Sequence, residues 1–205
     1  MFSIIQAAGW PIWPLIFCSI LALALVIERL IQLQSHKISP PQTLEQAIEA
    51  TRRGFPDERT ITHIESFGQL GPVLASGLRT LQRNPHASHE EMKNNMEMTG
   101  RVAAQHLERY LPALATIASA APLLGLLGTV VGMIELFGAS TSAGNPPAAL
   151  AHGISVALYN TAFGLIVAIP ALMFWRYFRA VVDRHVLSLE VAAERFARHL
   201  AHLRD

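Results

Sequence analysis

Polar side chains are scarce inside two long apolar runs, and three of them are candidates: Thr129 within residues 111–137, and Asn160 and Thr161 within 150–177. Hydroxyl and amide groups at such depth can line a narrow polar path for an ion. Thr161 comes fifteen residues before Arg176, which puts it about 22 Å along a helix from that basic boundary. If the two runs are antiparallel helices, Thr129 comes level with Thr161. The competing reading is local, because a lone Thr in a membrane helix usually bonds its own backbone. Both readings stay open for each residue. No Asp, Glu, Lys or Arg lies deep in either run. A proton relay needs a titratable group, so any such group would come from another polypeptide. Glu135 and His152 sit near the ends of the runs and read as solvated boundary residues, with an ion entrance as the alternative.

The helices that would carry these groups have small residues at helical spacing. Ala118, Ala121, Gly125, Gly128 and Gly132 recur in the first run, and Ala157, Thr161, Gly164, Ala168 and Ala171 in the second. Steps of three and four keep each set on one helix face. Small faces let helix backbones approach closely in lipid. They fit the packing of one helical hairpin, and two matched sets also suit a tight bundle of several copies.

Charge placement gives the topology. The chain has 205 residues, 16 of them Lys or Arg, and none of the 16 falls between Met1 and Glu28 or between Tyr110 and Trp175. A span needs roughly 20 mostly apolar residues, and basic residues stay on the cytoplasmic side. The pattern predicts an all-α integral membrane protein with three transmembrane helices, N-terminus outside and C-terminus inside. Spans are expected at 10–31, 111–137 and 150–177. An interfacial segment precedes them at 1–9, a cytoplasmic helical hairpin region fills 32–110, an outer loop runs over 138–149, and a cytoplasmic helix covers 178–205. Trp10 and Trp13 suit the headgroup boundary. A signal peptide wants a basic start and a small-residue cleavage site followed by polar sequence; no basic residue precedes this first run, and Glu28 and Arg29 follow it. It therefore reads as a retained span.

In the polar region, Thr43 opens a helix through Arg53, residues 54–57 turn, residues 68–83 have helical spacing, and Asn84 and Pro85 end that helix. Ser88 with Glu90 and Glu91 marks a strong helix start, and that helix can run on into the second span. In 180–205, Val182, Leu189, Phe196, Leu200 and Leu203 can form one apolar face.

Several function classes are disfavoured. A formal net charge of +1 gives nucleic-acid binding no electrostatic support. Cys18, the single cysteine, reads as a buried structural thiol. No Ser/His/Asp or Cys/His set appears at a common depth, so no enzyme, metal or cofactor is expected. His86 with His89 and His199 with His202 have metal-compatible spacing but no acid or Cys cluster beside them, and read as solvated helix faces.

The stretch PLLGLLGTVVGMIELF at 122–137 and the stretch GISVALYNTAFGLIVAIP at 153–170 resemble the second and third spans of the MotA/TolQ/ExbB proton channel family. Pro122 and Pro170 fall on motif prolines. Three spans resemble the ExbB and TolQ branch more than the four-span flagellar stator. The resemblance implies a homopentameric ring in the bacterial inner membrane around two copies of an ExbD- or TolR-like single-span protein. It further implies that the partner's intramembrane Asp takes and releases protons facing Thr129 and Thr161, with Asn160 beside them. The work would reach a TonB- or TolA-like protein. Gly125, Gly128, Gly132, Ala157, Gly164 and Ala168 would serve helix packing.

Val156 departs from this pattern, standing where the family commonly has Glu, five residues before the matching Thr161. Sodium coordination by Thr and Asn oxygens is thus an alternative to protons, and a non-conducting oligomeric scaffold an alternative to a motor.

Overall fold

The computed structural model describes residues 10–34, 38, 40, 42–52, 54–139 and 147–202. The segment expected over 1–9, the loop residues 140–146, and Leu203 lie outside the described residues, as do the side chains of His152 and His202. Among the described residues the regular elements are helices. They are α1 (Ile12–Gln32), α2 (Thr43–Arg52), α3 (Glu58–Glu65), α4 (Leu70–Arg83), α5 (His89–Glu108), α6 (Leu111–Ala139) and α7 (Pro147–His202). Three stretches are long and apolar enough to cross a membrane: α1, the end of a run over His89–Gly138, and part of Gly153–Ala201. The chain divides into two compact units.

One unit holds α1 up to Arg29 together with Tyr110–Tyr177. Its interior is thin and made of small and aliphatic groups: Leu15 of α1 packs with Ala121 of α6 and Ala168 of α7. Large apolar side chains face outward instead, including Phe17, Ile20, Leu126, Ile134, Ile166 and Met173. Such continuous exposed apolar surface is untenable in water for a lone chain and suits lipid or further helices. Pro122 and Pro170 are accommodated inside α6 and α7.

The other unit holds Leu30–Arg109 and α7 from Phe178 onward. Here α4 is the centre, burying Leu70, Val73, Leu74, Leu78 and Leu81. Gly71 lets the carbonyl of Ile64 approach, and a Cβ at Gly77 would stand 2.7 Å from Met96 Sδ. Gly68 takes a φ of 55°, a left-handed turn between α3 and α4 that glycine adopts readily. Ser88 caps α5 by accepting from Glu91 N at 3.0 Å. Asp57 caps α3 by accepting from Thr60 N at 3.0 Å. Val182, Leu189, Phe196 and Leu200 are all buried, so the apolar face of this half of α7 is packed. Lys93 pairs with Glu194 at 3.3 Å and Arg179 with Glu108 at 3.2 Å, joining α5 to α7. Thr51 contacts His199 Nε2 at 3.0 Å, joining α2 to α7. The Thr51 hydroxyl also lies 2.7 Å from Ile48 O, an acceptor on its own helix.

Candidate functional site

The small residues of α6 and α7 meet one another within a single chain. A Cβ at Gly125 would stand 2.7 Å from Asn160 O and 3.0 Å from Thr161 Cα. One at Gly164 would stand 2.6 Å from Ala121 O, and one at Gly132 would stand 3.3 Å from Ala157 Cβ. Cβ atoms hardly ever come within 3.0 Å of backbone, so two of these contacts admit glycine alone. The spacing of both sets is thereby accounted for by one hairpin seam. Ala118, Ala121, Ala157, Ala168 and Ala171 are buried as well.

Thr129, Asn160 and Thr161 have different surroundings. Asn160 is 1 % exposed and lies in the seam, its Cβ, Cγ and Nδ2 filling the space above Gly128. Thr161 is half-buried, with its backbone against Gly125. Thr129 is also half-buried, and its hydroxyl donates to Leu126 O at 2.7 Å. That local bond occupies the hydroxyl proton and leaves the oxygen free to accept. Thr129 also opens a shallow groove of about 510 Å³ along α6, continued by Val130, Met133, Ile134 and Phe137. The structure thus brings Asn160 to Gly128 and Thr161 to Gly125, and places Thr129 at one end of an outward apolar groove. Val156 is half-buried on α7, Glu135 is exposed near the end of α6, and Cys18 is half-buried in α1.

Two contacts were not visible in the residue pattern. Leu136 of α6 sits over Gly153 of α7; glycine at the head of the second motif was the only hint. Arg29, at the end of the first apolar run, is 2 % exposed. Its Nε donates to Glu28 Oε2 at 2.7 Å and its Nη2 to Oε1 at 3.3 Å, and the guanidinium stacks 4.8 Å from the Tyr110 ring centroid. Residues i and i+1 do not ordinarily face each other on a helix, so Glu28 folds over to reach it. The planar guanidinium can satisfy a carboxylate and a ring face together. This arrangement ties the end of α1 to the residue that leads into α6.

Similarity to other proteins agrees with these features. A model of the MotA/TolQ/ExbB proton channel family matches residues 65–191. The biopolymer transport protein exbB1 of Vibrio cholerae is 34% identical over 191 residues, covering 90% of this chain and 82% of that protein. A putative biopolymer transport protein ExbB homolog of Methanothermobacter thermautotrophicus is 30% identical over 155 residues, 76% of this chain and 54% of that longer protein. The Tol-Pal system protein TolQ of Haemophilus influenzae is 32% identical over 170 residues, 78% of this chain and 73% of that protein. The match runs through both stretches that form the seam and through the helices that precede them, and on it the chain belongs to the MotA/TolQ/ExbB proton channel family.

Proposed function

We propose that this chain is an ExbB-like subunit of an ion-driven motor in the inner membrane, working with protons and not as an enzyme. Its N-terminus lies outside and its C-terminus inside, and five copies surround two single-span ExbD-like partners. Proton flow moves the partner, which energises a TonB-like protein for nutrient uptake across the outer membrane. One observation carries the reading: in a member of a proton channel family, hydroxyls at Thr129 and Thr161 stand in runs without a deep ionisable residue. An intramembrane carboxylate on a partner supplies the group that such a path lacks. The hydroxyls can donate to it or order water beside it. The groove beginning at Thr129 is apolar beyond that residue, as a contact for a membrane helix requires.

A second reading is a TolQ-like subunit of an envelope system, favoured by the similarity to the Haemophilus influenzae TolQ protein. Both readings expect the chain to purify with a small single-span protein bearing an intramembrane acid, encoded by a neighbouring gene. A stable complex lacking any such protein, from cells expressing the adjacent genes, would support a non-conducting scaffold instead.

A further inference from the structure

The seam between α6 and α7 contains two side chains with pronounced shape. Asn160 reaches from α7 into the space left by Gly128, where a Cβ would lie 2.7 Å from its Cβ and 2.8 Å from its Cγ and Nδ2. Leu136 reaches the opposite way, from α6 into the space left by Gly153. Between them the facing residues Gly132 and Ala157 are small, as are Gly125 and Gly164 on the other side of Asn160.

Helices in lipid associate through close packing and interhelical hydrogen bonds, without a hydrophobic drive. A face of small residues repeating every turn brings two helices together but defines their relative height poorly. Sliding by one turn, about 5.4 Å, sets one small pair where another stood. The same slide takes Asn160 off Gly128 and Leu136 off Gly153. Asn160 is also the buried polar side chain of α6 and α7 among the described residues. Burying an amide is costly unless its hydrogen bonds are met, and a single buried Asn in a coiled-coil seam fixes register at the expense of stability. Thr129 follows Gly128, and Thr161 follows Asn160. Whatever seats residue 160 on residue 128 therefore sets the depth of both hydroxyls.

We propose that Asn160, seated on Gly128, is the register key of the α6–α7 hairpin and holds Thr129 and Thr161 at matching depth. It is a positioning residue, acting through the seam and not on the ion. The consequence for the ion path rests on the proposed function; the register does not.

The test uses the full chain, expressed with its adjacent genes, in a Cys18→Ser background. Paired Gly132→Cys and Ala157→Cys report the native register, since the Cβ positions lie 3.3 Å apart, close to disulfide range. Paired Gly132→Cys and Gly153→Cys report a one-turn slide. Gly128→Ala puts a methyl where the Asn160 side chain sits. It is expected to lower 132–157 cross-linking about tenfold, the change that about 1.4 kcal/mol produces, to raise 132–153 cross-linking, and to lower proton flux in parallel. Adding Asn160→Gly makes room for that methyl but leaves the seam without its key, and is expected to restore thermal stability while 132–157 cross-linking and flux stay low.

Two results overturn the proposal. Gly128→Ala could keep full 132–157 cross-linking while only thermal stability falls. The double variant could regain full 132–157 cross-linking, which would show that the register is set without the amide. Shifted cross-linking in both variants, with no flux even from the parent chain, would uphold the register key and remove the motor reading.

Discussion

Gly164 and Ala121 lie so close that a Cβ on Gly164 would stand 2.6 Å from the Ala121 carbonyl oxygen. Backbone cannot give way as a flexible side chain can, so the contact constrains α6 and α7 as rigid bodies. Gly164→Ala should therefore force the helices apart and cost about 1–3 kcal/mol, the usual penalty of overpacking. Thermal unfolding of the purified complex checks this. An unchanged midpoint would mean that the helices are not held at this distance in the membrane.

Arg29 over Tyr110 gives a second prediction. The guanidinium is buried while the Glu28 side chain is 29% exposed, so the pair lies between the buried and surface regimes. Arg29→Ala should destabilise by about 2 kcal/mol, between the values for buried and exposed pairs. Arg29→Lys keeps the charge but loses the planar stack and fork, and should cost about 1 kcal/mol. The same unfolding measurement reads both, and the predicted order is parent, Lys, Ala. A Lys variant no better than the Ala variant would assign the stabilisation to shape instead of charge.

The Arg79 guanidinium bonds Glu65 at 2.9 and 2.6 Å and holds its carboxyl below the ordinary value of 4.5. A carboxyl depressed in the folded state contributes stability that is fully present above its unfolded value and lost as pH falls through the folded one. Stability should thus decline as pH drops below about 4.5 and less so in Glu65→Gln, read by unfolding across that range. Both side chains are about one-third exposed, so the effect is at most about 1 kcal/mol and shrinks with added salt. A pH profile unchanged by Glu65→Gln would contradict it.

Thr161→Val removes a hydroxyl while keeping the volume of the side chain. The complex should assemble with its partner as before, and ion-driven function should fall by about tenfold or more, a barrier change of about 1.4 kcal/mol. Retained energised function with intact assembly would take Thr161 out of the conduction path and favour the scaffold.

Much of this was legible in the residues, and the misses have physical causes. Gaps in Lys and Arg mark the long apolar helices because charge is costly in lipid. Ser88 announces α5 because a hydroxyl there satisfies an orphan N–H. Helix α3 has no counterpart in the residue pattern: its sequence, ERTITHIE, buries only Ile61 and Ile64, too few for a clear period, and Asp57, which caps it, reads only as part of a turn. Asn160 and Thr161 are neighbours, and successive residues point about 100° apart on a helix. Spacing put Thr161 on the small face, whereas the side chain that fills the seam is that of Asn160 beside it. That choice is made by the facing helix, where Gly128 leaves room for Asn160. The burial of Arg29 likewise depends on Tyr110, eighty-one positions further along the chain.

The most direct measurement is proton entry into liposomes carrying the purified complex of this chain and its single-span partner under an imposed pH gradient. Flux should need the partner and fall by about tenfold or more when the partner's intramembrane carboxylate is changed to an amide. Equal flux from this chain alone, or from the complex with the amide, would place the titrating group elsewhere and overturn the partner-carboxylate mechanism.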